Sequence, residues 1–169
     1  GSCADCIVSV DKGLEVTKAL GLVPDAVVGD FDSVNGELLK EYRKNPAIVW
    51  DVHKPEKDET DTELAIHTAV KLGCKRLFIL GATGGRLDHE LSNIHLLKLC
   101  LDCKTEAFLC DPWNKVYLLE KGKVFRRGET YGDYVSFIPL TEEVRGITLR
   151  GFKYPLTGKD IRVGVEAGL

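Results

Sequence analysis

The chain has 169 residues, 44% of them hydrophobic and 29% charged, ordinary soluble usage that can bury a core in one domain or two small ones. A net charge of -3 and a pI near 5.8 argue against nucleic acid or an anionic membrane as partner, since both call for basic patches. No apolar run approaches the roughly 18 residues of a membrane span, and no charged-then-apolar signal peptide is visible, so a cytoplasmic protein is expected.

The residues before Ile7 read as a clipped start. Ile7-Val8-Ser9-Val10 is a strand ending in Asp11, Lys12-Gly13 a turn, and Leu14 to Leu20 a short helix stopped by Gly21. Val23-Pro24-Asp25 leads into a second strand, Ala26 to Val28, which runs into Gly29-Asp30-Phe31-Asp32-Ser33. Such a strand, helix, strand unit brings Asp11 and Asp30 to the same edge of a parallel sheet. If the chain stays extended, Asp30 and Asp32 share a side, and their mutual repulsion of about 1 to 4 kcal/mol at 4 Å calls for a positive partner. Mg²⁺ carrying nucleotide phosphates suits them, because that ion takes one or two carboxylates and completes its octahedron with phosphate and water. Taken alone, Asp-x-Asp also fits a loop whose acids are simply solvated.

Asn35 to Tyr42 reads as a helix and Ala47 to Trp50 as a strand. The charged stretch Lys54 to Asp61 follows as a loop, and Thr60-x-x-Glu63 is a capping box for a helix from Asp61 to Leu72. Asp61 then lies in the first turn, where the helix dipole favours its charge. Capping accounts for Thr60 and Glu63 without any function, but not for Asp58 and Glu59 in the same loop. Arg76 to Leu80 is a strand that enters Gly81-Ala82-Thr83-Gly84-Gly85-Arg86-Leu87-Asp88-His89. Leu87, Leu91, Ile94, Leu97 and Leu101 then mark one helix face. A glycine-rich strand-to-helix turn can bring backbone N–H groups close to an anion, with Arg86 adding a full charge. The spacing fits neither the Walker lysine pattern nor Gly-x-Gly-x-x-Gly, and a plain tight turn is the alternative.

Thr105 to Cys110 is a further strand, after which the alternation stops. Short strands are expected at Lys115 to Leu119, Lys123 to Arg127, Tyr134 to Ile138, Val144 to Leu149 and Lys153 to Leu156. The expected fold is therefore α/β: a parallel-sheet nucleotide-binding domain over residues 1–111, then a small all-β sandwich over 112–169 with open edges that need a partner. Cys3-x-x-Cys6 and Cys100-x-x-Cys103 have zinc-like spacing within each pair, but the pairs are far apart and no histidine cluster supports them. Reduced thiols are expected.

Val10-Asp11-x-Gly13, Pro24-Asp25-x-x-x-Gly29-Asp30-Phe31-Asp32-Ser33, Lys57-Asp58-Glu59-Thr60-Asp61 and Gly81 to His89 together resemble, in order, the thiamine pyrophosphokinase family. Gly146-Ile147-Thr148-Leu149-x-Gly151-x-Lys153-Tyr154-Pro155-Leu156 is similar to that family's second domain. The resemblance implies transfer of pyrophosphate from ATP to the hydroxyethyl oxygen of thiamine, with Mg²⁺, in a homodimer whose active sites lie between subunits. It implies Asp30, Asp32 and Asp61 as metal-binding and catalytic acids. It also implies that Asp11, Asp58 and Thr60 line the same pocket and that Thr83, Gly84, Gly85, Arg86 and Asp88 form the nucleotide and phosphate loop. Two departures stand out: Asp11-Lys12-Gly13 replaces the usual Asp-Gly-Gly, and Gly164 to Leu169 stands where the family has a Ser-Asn-Glu segment of the thiamine pocket. Either that segment is missing from this chain or thiamine recognition is altered.

Two rivals fit parts of the pattern. A haloacid-dehalogenase-like phosphatase would use Asp30 as nucleophile and Asp32 as acid/base, but it needs a later acidic pair that the β-rich end does not offer. A non-catalytic nucleotide sensor would bind ATP without forming AMP.

Overall fold

The computed structural model describes residues 4–53 and 59–164. Among them β1 (Val8–Val10), α1 (Gly13–Ala19), β2 (Ala26–Gly29), α2 (Gly36–Tyr42) and β3 (Val49–Val52) alternate, and the strands form a parallel sheet in the order β1-β2-β3. Parallel neighbours need a crossover, which α1 and α2 supply. The apolar run Ala26-Val27-Val28 makes β2 the central strand, buried at every position including Gly29. Leu14, Val27, Phe31, Val34, Tyr42 and Ile48 form its core, with Trp50 edge-on to Phe31 at 5.5 Å between ring centres. Asn35 starts α2 by accepting hydrogen bonds from the N–H groups of Glu37 and Leu38.

α3 (Asp61–Lys71) packs against β1 and β2, and its Ile66 belongs to a second core with Leu97, Cys100, Ala107 and Leu109. That core lies against a second sheet in which β4 (Arg76–Leu80) and β5 (Glu106–Cys110) are parallel, joined by the crossover helix α4 (Leu87–Asp102). Leu80 pairs with Cys110, so Gly81 and Asp111 leave the sheet side by side at its carboxyl edge. β6 (Lys115–Val116) turns back antiparallel to β5, with Val116 opposite Leu109.

The chain divides into two compact units, Gly1–Lys121 and Gly122–Leu169, so the first unit runs past Asp111–Pro112, the expected end of the strand and helix alternation. Residues 111–121 go with the first unit because β6 adds to its sheet and Val116 and Leu118 pack on its second core. The described part of the second unit contains one antiparallel pair, β7 (Glu143–Leu149) and β8 (Leu156–Arg162), irregular on either side of Ile147. Phe125, Phe137 and Phe152 meet edge to face at 5.6 to 6.1 Å. The strands expected at Lys123 to Arg127 and Tyr134 to Ile138 do not form, and the one expected at Lys115 to Leu119 shortens to β6. Their apolar alternation marks a face suited to burial, but a strand also needs a paired edge. Val124, Tyr134 and Ile138 instead stay 84%, 92% and 80% exposed.

Among the described residues no helix is long and apolar enough to cross a membrane. The described cysteines are free thiols, with Cys100 pushed up to about 11 by burial.

Candidate active site

Three carboxylates meet at the carboxyl edge of the first sheet. Asp11 follows β1, Asp30 follows β2, and Asp61 opens α3. Asp11 is held in a left-handed turn with φ of 41°, its N–H donating to Val28 O at 3.1 Å and its carbonyl accepting from Leu14 N at 3.0 Å. Its side chain is directed back over Gly29, where a Cβ would collide with the carboxylate; Gly29 is also at φ 144°. Glycine is therefore required there by both space and backbone. Burial, then the adjacent Asp61 carboxylate and more weakly Asp30, push the Asp11 carboxyl up to about 6 against a Phe31 N–H that favours its charge. Asp11 Oδ1 is buried without a hydrogen-bond partner.

Asp32 does not share an extended side with Asp30. β2 ends at Gly29, Phe31 turns to φ 64°, and Asp32 N donates to Asp30 Oδ1 at 3.1 Å. The two acids are thus linked by a tight turn, with Asp32 exposed. Thr60 accepts from Glu63 N at 3.2 Å, so capping α3 is its structural role. Asp58 lies outside the described residues. Asp25 accepts from Ile7 N at 2.7 Å, stapling the start of β1 to the turn before β2.

The glycine-rich loop leaves β4 at the carboxyl edge of the second sheet. Gly81, Gly84 and Gly85 adopt φ of 71°, 77° and 105°, which lets the chain turn sharply before α4. Arg86 forks onto Asp88 through Nε to Oδ1 at 3.1 Å and Nη2 to Oδ2 at 2.6 Å, and this guanidinium holds the Asp88 carboxyl below the ordinary range. Thr83 shares a hydrogen bond with the Asp111 carboxylate, which also accepts from Trp113 N and Asn114 N at 2.8 and 2.7 Å. Among the described residues no group of three or more His, Cys, Asp or Glu is gathered to hold a metal ion. The structure sets Asp11 within electrostatic reach of Asp61 and, more weakly, Asp30, and Thr83 through Asp88 in one loop, each at the carboxyl edge of a parallel strand pair.

Both features fall within a stretch that matches a known family. Residues 2–109 match the family described as "Thiamin pyrophosphokinase, catalytic domain", and residues 123–167 match "Thiamin pyrophosphokinase, vitamin B1 binding domain". The chain belongs to the thiamine pyrophosphokinase family. It is 35% identical to the thiamine pyrophosphokinase of Bacillus subtilis over 93% of this chain and 73% of that protein. Thiamine pyrophosphokinase 2 of Arabidopsis thaliana is 29% identical over 83% of this chain, which spans only 55% of the plant protein. The Bacillus subtilis crystal structure superposes with a TM-score of 0.83 at 34% identity, covering 95% of this chain and 74% of that one. The Geobacillus thermodenitrificans structure gives 0.80 at 35%, covering 97% and 75%. The likeness extends through both units, so the phosphatase assignment of Asp30 and Asp32 falls away. The vitamin B1 binding match also runs to residue 167 despite the missing Ser-Asn-Glu.

Sequence reasoning did not single out Glu90, Asn93 or Asp111, although each bonds to the loop. Polar residues on an amphipathic helix or in a turn are usually solvated, and only the fold shows that these face the glycine loop.

Proposed function

We propose that this chain transfers pyrophosphate from ATP to the hydroxyethyl oxygen of thiamine, giving thiamine diphosphate and AMP. The observation that carries this is the acid cluster Asp11, Asp30 and Asp61, in which burial and repulsion push a carboxyl up to about 6, set in a chain of this family. Acids held together at that cost suit a cation, and Asp11 Oδ1 is left buried without a partner. Bound Mg²⁺ would supply positive charge to the phosphates, with Asp30, Asp32 and Asp61 as its protein ligands and Asp11 and Thr60 near them. Substrate phosphate and water would supply its remaining ligands.

In the second loop, Thr83, Gly85 and Arg86 bind and orient the ATP phosphates through backbone N–H groups and the guanidinium, with Gly84 shaping the turn and Asp88 holding the Arg86 guanidinium. The hydroxyethyl oxygen attacks the β-phosphorus and the bond from that phosphorus to the α,β-bridging oxygen breaks. AMP departs with that oxygen, while a carboxylate of the cluster takes the hydroxyl proton. Residues 122–169 contribute to the thiamine site and to a homodimer, and the reaction is cytoplasmic. The exposed Val124, Tyr134 and Ile138 support the dimer as apolar area open to a partner.

Asp30→Asn and Asp61→Asn test the acid cluster. Each should lower kcat by about 100-fold or more, since an amide keeps the shape and loses the charge. Circular dichroism and melting should remain near those of the parent. Retained turnover in both variants would overturn the assignment.

A further inference from the structure

Two side chains of α4 grip the loop from the same helix face. Asn93 Nδ2 donates to Ala82 O at 2.9 Å, and Gly84 N donates to Glu90 Oε2 at 3.2 Å. Positions 90 and 93 are one turn apart on α4, so both project the same way, and they meet loop residues two apart. The polarity is matched: an amide donor faces a carbonyl, and a carboxylate faces an N–H. Both side chains are partly buried, whereas Gly84 and Gly85 are exposed. Gly84 is at φ 77°, so a loop of this shape depends on something to hold it in that conformation.

We propose that Glu90 and Asn93 are positioning residues that lock the glycine loop in its anion-binding shape by spending the Gly84 N–H and the Ala82 carbonyl on α4. This rests on the assignment of the loop to ATP phosphates. The Gly84 N–H then faces the helix, and the anion is read by Gly85 and Arg86. Glu90 acts through its acceptor oxygen. A carboxylate that merely occupied the phosphate position would act through its charge and compete with ATP, so the two roles predict opposite signs.

Glu90→Ala, Glu90→Gln, Asn93→Ala and Asn93→Asp in the full chain separate them. In nucleotide-free protein, the Gly84 amide followed by NMR hydrogen exchange should exchange about tenfold faster or more in Glu90→Ala and stay protected in Glu90→Gln, whose amide oxygen still accepts. Calorimetry with Mg²⁺ and ATP should show about tenfold weaker binding for Glu90→Ala and Asn93→Ala, with kcat changed less than KM. Asn93→Asp, which sets a carboxylate against the Ala82 carbonyl, should be weaker still and reports on the clamp if Glu90→Ala does not fold. Tighter ATP binding by Glu90→Ala, or equal losses in Glu90→Gln and Glu90→Ala, would overturn the clamp. Failure of the parent protein to bind ATP would overturn the functional assignment instead, and the exchange experiment would still decide the clamp.

Discussion

Gly29 and Asp11 show how a single backbone position sets a site. The Asp11 carboxylate occupies the space a Gly29 side chain would need, and Gly29 has φ of 144°. Gly29→Ala should cost at least about 2 kcal/mol from strain and collision, lowering Tm by about 4 to 8 °C. It should also abolish turnover, because relief of the clash drives Asp11 out of the acid cluster. A melting scan with an activity assay checks both, and an unchanged Tm would contradict the packing. At this scale the sequence was informative where topology dictates placement: acids after two neighbouring parallel strands must share an edge, as Asp11 and Asp30 do. It was misleading at Asp32, because the left-handed turn at Phe31 leaves no pattern in residue types. Glu90 and Asn93 were illegible for a related reason, since their helix positions look like solvent positions until the loop is seen against them.

Among the elements, α3 ties the two halves of the first unit together, and its sequence announced itself through Thr60 and Glu63. Its tie to β3 did not: the buried Thr68 hydroxyl donates to Asp51 Oδ2 at 2.6 Å. This bond, with the nearby His53, holds the Asp51 carboxyl below the ordinary range against partial desolvation. A lowered folded-state pKa means the stabilisation is complete above the unfolded value, near pH 4, and fades as pH falls through the folded one. Thr68→Val should therefore cost about 1 to 2 kcal/mol at pH 7, and that deficit should shrink below about pH 4. Urea midpoints at pH 7 and pH 3 measure it, and a deficit that grows in acid would contradict the sign. The strand and helix alternation up to Cys110 was readable because each parallel crossover imposes its own periodicity. The strands expected between Lys123 and Ile138 were not realised, since alternation predicts a buried face and says nothing about which edge will pair with it.

For the molecule as a whole, the proposed homodimer would cover the exposed apolar residues of the second unit. Light scattering at micromolar concentration should report twice the 18.7 kDa chain mass, and a fully active monomer would contradict the dimer. The chain spans 73% of its Bacillus subtilis relative and 55% of the Arabidopsis thaliana protein, and Gly164 to Leu169 stand where the family has Ser-Asn-Glu. Product analysis tests catalysis by this chain most directly. With ATP, Mg²⁺ and thiamine, chromatography should show AMP and thiamine diphosphate rising in equal amounts. ADP with thiamine monophosphate would mean that a single phosphoryl group moves, and would contradict pyrophosphate transfer.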